Sequence, residues 1–187
     1  IFYLGFYVLM FVMLILFVKV IDRSSLREIG LRKASRWKLC LILGALFAFL
    51  ARFSEIFIYL ILGGTIRLEE YSPPFMIIFF IMDTLMVGLA EEGVFRGYIQ
   101  RHLTHNHGFI TGLLVSSSLF HAYHVNFFRA TFSDVALTIL LGPFIPSFGM
   151  FAGYLYYKTR ENLLGPVTLH MFYYLFVTIV PLGVETG

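Results

Sequence analysis

The sequence predicts an all-α protein, a polytopic transmembrane helical bundle of about six spans forming a single domain over residues 1–187. Three observations carry that expectation. Hydrophobic residues make up 59% of the 187 residues and charged residues only 13%, against about 25% charged in ordinary globular proteins. Apolar runs of about 20 residues recur, each long enough to cross a hydrocarbon core about 30 Å thick. The charges fall between these runs rather than on one soluble face, so the net charge of +3 reports membrane orientation and gives no sign of nucleic-acid binding. The expected surroundings are therefore a lipid bilayer, and the expected location is that of an integral, multi-pass membrane protein.

The first run, Ile1–Val20, has no cleavage site after it and reads as a retained helix rather than a signal peptide. The loop Ile21–Lys38 carries Arg23, Arg27, Arg32, Lys33, Arg36 and Lys38. Within it, Ser24 to Ile29 has the pattern of a short amphipathic helix lying on the membrane surface. The second run, Leu39–Leu62, contains Arg52 and Glu55, three apart and suited to a mutual ion pair. Cys40 is the single cysteine, so an intrachain disulfide is excluded, and a packing role suits it better than a nucleophilic one. The third run is Pro74–Ile99. A loop with Arg101, His102, His105 and His107 precedes the fourth, Gly108–His124. The fifth, Val135–Tyr157, holds Gly142, Pro143, Pro146 and Gly149, residues that kink a helix and open a cavity. The sixth is Pro166–Val184. The loops Ile21–Lys38, Arg101–His107 and Lys158–Asn162 are basic, whereas Gly63–Ser72 and Val125–Asp134 each hold one arginine. That alternation assigns the three basic loops to the cytoplasm. Trp37, Tyr154, Tyr156 and Tyr157 fall at the same edge, as an aromatic belt requires.

Polar residues inside these runs are the candidates for function, because a carboxylate at membrane depth costs at least about 2.5 kcal/mol. The third run carries Ala90-Glu91-Glu92-Gly93-Val94-Phe95-Arg96. Glu92 and Arg96, four apart, share a helix face and form a fixed pair. Glu91 projects about 100° away, toward another neighbour, and is suited to act as a base or acid. Two close carboxylates repel, which favours one of them exchanging a proton. A plain buried ion pair accounts for Glu92 with Arg96 but not for Glu91. In the fourth run Phe120 and His124 share a stripe, with His121 the second candidate, after the small polar run Ser116-Ser117-Ser118. In the sixth, His170 stands one turn in, with Tyr174 one turn further on the same face. Each histidine alone reads better as an interfacial side chain bonded to a carbonyl. An acid pair and two histidines on three separate runs form the convergent set of an active site. Asp83, two turns before Glu91, is expected to line the same cavity. By rise per residue Glu91 lies about 15 Å from the inner end of its helix, His124 over about 20 Å and His170 about 6 Å. Straight, level helices would therefore hold them apart, and tilting, kinking or a re-entrant stretch is needed.

With these residues in place, the chain resembles the CPBP family: the type 2 CAAX prenyl proteases and their bacterial relatives, including bacteriocin-immunity and lysostaphin-resistance-A-like proteins. Three elements carry the likeness in order: Glu91-Glu92-Gly93-Val94-Phe95-Arg96-Gly97, Phe120-His121-Ala122-Tyr123-His124, and Asn162-Leu163-Leu164-Gly165-Pro166-Val167-Thr168-Leu169-His170. The resemblance covers a core over residues 82–178. It implies glutamate-dependent hydrolysis of a peptide bond in a membrane-associated protein or peptide, prenylated or not, and a prokaryotic cell membrane. Glu91 would activate a water that His124 helps orient, Glu92 and Arg96 would hold the base in place, and His170 would stabilise the oxyanion. No metal or other cofactor is required in that scheme. The family usually has Asn or Asp four residues after the last histidine, where this chain has Tyr174. Tyr174 donates one hydrogen bond and is longer, and Asn126 is a conceivable substitute. Competing readings are a non-catalytic immunity or scaffold protein on the same fold, a zinc-dependent protease using Glu91, Glu92, His124 and His170 as ligands, and a proton-relay transporter.

Overall fold

A segment without water must satisfy its backbone hydrogen bonds internally, so apolar runs of this length become helices. The computed structural model describes residues 2–61, 65–66, 74–124, 144–179 and 182–183. In chain order the helices are α1 (Phe2–Leu16), α2 (Trp37–Ile61), α3 (Pro74–Glu92), α4 (Arg101–His107), α5 (Phe109–His124), α6 (Phe144–Lys158) and α7 (Leu164–Ile179). Two π-helical stretches, Phe17–Ile21 and Gly93–Gln100, extend α1 and join α3 to α4 without a break. An antiparallel pairing of Thr65 with Gly183 and Ile66 with Leu182 ties the chain after α2 to the chain after α7.

Each expected run contains a helix, but the boundaries and the lengths differ. Among the described residues two stretches, Leu4–Ile21 and Trp37–Ile58, are long and apolar enough to cross a membrane, and Leu164–Thr178 is a shorter apolar helix. Large apolar side chains such as Ile42, Phe53 and Ile110 lie exposed on the outer surface, where only lipid or another apolar partner would leave them unpenalised. Asn126, Gly142, Pro143 and the loop Val125–Asp134 lie outside the described residues, as does Gly63–Ser72 apart from residues 65 and 66.

Two local expectations are corrected. Ser24–Ile29 forms turns rather than a surface helix. Ile29 is buried against Leu14 and Val18, so the segment folds back onto α1 instead of lying flat. Arg101–His107 is helix rather than loop. The Arg101 N–H bonds back to the Arg96 and Tyr98 carbonyls, and the helix stops only at Gly108, whose φ of +87° suits glycine.

The core lies where α2, α5, α6, α7 and the second π stretch meet, with Ala48, Phe95, Phe120, Phe148, Ala152, Leu155 and Leu169 buried together. Small residues permit the close approach. A Cβ on Gly44 of α2 would lie 2.8 Å from the Leu169 backbone nitrogen of α7, which fixes how tightly these helices pack. On the opposite flank α1 packs against α3, with Leu14 lying over Gly93.

One end of the bundle is cross-tied. Leu163 N–H donates to the Gly30 carbonyl (3.1 Å), Asn162 Nδ2 to the Arg32 carbonyl (2.9 Å) and the Tyr156 hydroxyl to the Ile29 carbonyl (3.3 Å). Arg101 lies 3.5 Å from both Glu28 and Glu161, and His105 is 2.9 Å from Glu161. The three basic connections thus meet at the same end.

Candidate active site

The site is assembled by α3 and its π continuation, α5, α6 and α7. π-helical turns inside α-helices occur frequently at functional sites, and this one begins directly after Glu92. Glu91, Glu92 and Arg96 are each 0% exposed and His170 is 2% exposed. Glu92 faces Arg96, with Arg96 Nη1 donating to Glu92 Oε1 (3.3 Å) and Arg96 Nε 3.2 Å from Glu92 Oε2. Arg96 is held from two further sides. Its Nη2 donates to the Gly149 carbonyl of α6 (3.1 Å), and the guanidinium sits 4.3 Å from the centre of the Phe120 ring, within cation–π range. Phe120 also packs against Phe95, His124 and Phe148.

The histidines come from two different helices, α5 and α7. His170 Nδ1 is 3.0 Å from Glu92 Oε1, and its Nε2 is 3.7 Å from Glu91 Oε2. His124 Nδ1 is 2.8 Å from the Phe120 carbonyl, and its Nε2 is 3.6 Å from the same Glu91 oxygen. A carbonyl can only accept, so His124 Nδ1 carries a proton and donates to it, which leaves Nε2 as the ring nitrogen that faces Glu91. His124 is the most open of the group, with its side chain 25% exposed.

Glu91 is the anomaly. Both of its carboxylate oxygens are buried and lack a hydrogen-bond partner among the described residues. The separations of 3.6 and 3.7 Å are too long for direct hydrogen bonds, and they are the kind of polar gap a bridging water fills. Glu92, one residue away, by contrast has Arg96 and His170 Nδ1 within hydrogen-bond distance of its Oε1.

Of the other residues singled out from sequence, Tyr174 lies with its ring parallel to that of His170, centroids 5.2 Å apart and planes 6° apart. The buried Nδ1 of His121 has no hydrogen-bond partner among the described residues. Arg52 and Glu55 pair at 2.6 Å and are joined by the Tyr173 hydroxyl, 3.0 Å from Glu55, away from Glu91. Among the described residues no group of three or more His, Cys, Asp or Glu side chains is arranged to hold a metal ion. Sequence reasoning missed the Gly149 carbonyl and Phe148, whose ring stands edge-on to His170 at 5.4 Å. It also missed Tyr123, whose ring stands perpendicular to that of His124 with centroids 5.1 Å apart. Only Tyr123, beside His124, had a signal to find it by.

Residues 73–176 match the family model for type II CAAX prenyl endopeptidases of the Rce1-like kind. The chain belongs to the Rce1-like family. The match spans more than half of the chain and holds Glu91, Glu92, Arg96, His124 and His170 together. No curated protein and no solved structure matches the chain. Membership makes the chain, at the level of the family, a membrane-embedded CAAX-type protease.

Proposed function

We propose that this Rce1-like chain is a six-span intramembrane endopeptidase that hydrolyses a peptide bond of a membrane-associated protein or peptide with Glu91 as the general base. The observation that carries the reading is the buried, unpartnered Glu91 carboxylate flanked by two imidazole Nε2 atoms at 3.6 and 3.7 Å. A buried carboxylate with no hydrogen-bond donor is costly, and chemistry is the reason to retain one.

In this mechanism a water donates to Glu91 Oε2 and His124 Nε2. Glu91 takes a proton from it as the oxygen attacks the scissile carbonyl, and a tetrahedral oxyanion forms. His170, protonated on both nitrogens, gives its Nδ1–H to Glu92 and its Nε2–H to the oxyanion. Glu91 then returns the proton to the leaving amine nitrogen as the C–N bond breaks. The charges balance: two carboxylates and one guanidinium leave a net negative charge, and a cationic His170 cancels it. Phe120 holds Arg96, Arg96 holds Glu92, and Glu92 holds His170. Tyr174 supports the ring of His170 by stacking, a different kind of help from the donor usual in the family.

The test is cleavage of a quenched-fluorescent farnesylated CAAX-type peptide by purified protein in lipid–detergent micelles. Loss of a general base lowers rates by about 100- to 10,000-fold, so Glu91→Gln is expected to lower cleavage by at least 100-fold with helical content unchanged. Undiminished cleavage by this variant would overturn the assignment.

A further inference from the structure

A cavity of about 410 Å³ lies between α3 and α7 at the basic end of the bundle, outside the catalytic cluster. Its volume is that of a small-ligand site. Leu85 and Leu89 of α3 and Leu164 and Val167 of α7 line it, together with the turn of residues 30–33. The polar groups at that turn are already engaged. Asn162 Oδ1 accepts from the Leu164 N–H (2.9 Å), and Asn162 Nδ2 donates to the Arg32 carbonyl (2.9 Å). The Gly30 carbonyl accepts from the Leu163 N–H. A ligand therefore meets chiefly apolar wall, with Arg32 and Lys33 exposed at the rim. The turn is held in place: Gly30 has φ +96°, and a Cβ there would lie 2.7 Å from the Glu161 backbone oxygen. Arg32 Nη2 also donates to the Arg160 carbonyl. The cations are thus carried on a backbone shaped before any ligand arrives, which lowers the cost of binding one.

The two chemistries are separated along the bundle. Helix α3 runs toward the basic end, so Leu85 lies deeper than Leu89 by about 6 Å, and α7 descends from the same end. Charge at the rim and hydrocarbon below match an amphiphile with an anionic head and an apolar tail. The charge rule assigns this end to the cytoplasm, whose leaflet carries the anionic lipids that basic pockets between helices hold. We infer that this cavity binds one anionic phospholipid, with the headgroup phosphate at Arg32 and Lys33 and an acyl chain between α3 and α7. A neutral lipid lacks the countercharge, and a soluble anion leaves the walls bare. The bound chain lies beside the seam that carries the catalytic residues. Leu89 stands three residues before Glu92 and Val167 three before His170, and a Cβ on Gly88 would lie 3.5 Å from the side chains of both Val167 and His170.

A tryptophan at the cavity reports occupancy directly. In protein carrying Trp37→Phe and Leu85→Trp, purified in neutral detergent, fluorescence is titrated with phosphatidylglycerol or phosphatidylcholine bearing the same brominated acyl chains. Half-maximal quenching is expected at a phosphatidylglycerol concentration at least 5-fold below that for phosphatidylcholine. Each cation near a membrane surface contributes about fivefold in affinity, so Lys33→Gln is expected to raise the phosphatidylglycerol midpoint by about that factor. None of the bonds that shape the turn uses the Lys33 side chain among the described residues, so this variant leaves the site's form intact. Equal quenching by the two lipids, or a midpoint that Lys33→Gln leaves in place, would mean non-specific contact with the lipid belt and overturn the inference. Release of the brominated lipid by an equal concentration of the farnesylated peptide would give the cavity to the substrate, with the same consequence. No readout here depends on cleavage, so the lipid site and the role of Glu91 stand or fall separately.

Discussion

Glu91 and Glu92 are neighbours in the chain with opposite surroundings, and that contrast was readable from residue types alone. Helical spacing put Glu92 over Arg96 and turned Glu91 elsewhere, and the structure has Glu92 bonded to Arg96 and His170 while Glu91 has no hydrogen-bond partner among the described residues. Charges at membrane depth are conspicuous in a sequence because they are expensive. Phe148 was not visible in this way, since a phenylalanine within an apolar run looks the same whether it faces lipid or packs edge-on to His170. The contrast between the two acids gives a stability prediction. Removing Arg96 strands Glu92 in a buried place and costs about 3–5 kcal/mol, so Arg96→Ala is expected to lower the thermal midpoint by many degrees. Glu91 accepts no hydrogen bond among the described residues, so Glu91→Gln should leave the midpoint unchanged or raise it, as replacements of functional groups held at a cost to stability do. Thermal unfolding in detergent, followed by circular dichroism, reads both. A Glu91→Gln protein that melts well below wild type would mean that Glu91 serves the fold.

The helices themselves were foreseen in order, because apolar runs leave little choice of backbone, but their ends were not. Arg101–His107 looked like a loop because of its charge, yet the backbone continues as helix until Gly108 permits the turn. The expected mismatch in depth among Glu91, His124 and His170 rested on level helices. The side chains nevertheless meet, in a bundle where the third helix is long and carries a π stretch directly after Glu92. A π stretch has no signature in composition, so no sequence pattern could have announced it. Its packing can be probed through its two glycines. A Cβ on Gly97 would lie 2.6 Å from the Ile29 backbone oxygen, whereas one on Gly93 would meet only the tip of Leu14. A backbone atom cannot yield as a side-chain tip can. Gly97→Ala is therefore expected to destabilise by about 1–3 kcal/mol, with Gly93→Ala clearly milder, in the same unfolding measurement. Equal melting of the two would show that the contact between the Ile29 turn and this stretch is looser than described.

The orientation of the bundle joins two independent lines. The alternation of basic loops assigns Ile21–Lys38, Arg101–His107 and Lys158–Asn162 to one side of the membrane, a statement about charge with no geometry in it. The fold brings residues of all three together at one end, through Gly30 with Leu163, Arg32 with Asn162, and Arg101 with Glu28 and Glu161. Thr65 follows α2, which begins at Trp37 beside the basic end and runs 25 residues away from it. At 1.5 Å per residue that is about 37 Å, enough to cross the hydrocarbon core. Single cysteines introduced at Arg27, Arg160 and Thr65, with the buried Cys40 replaced by Ser, make this testable with a membrane-impermeant maleimide. In right-side-out vesicles Thr65→Cys is expected to react directly, and Arg27→Cys and Arg160→Cys only after the vesicles are opened. Reaction of Arg27→Cys and Arg160→Cys from opposite sides would contradict the tied end of the fold. If both react from outside and Thr65→Cys from inside, the bundle is intact and the charge rule has given the wrong orientation, placing the basic end and its turns outside the cell.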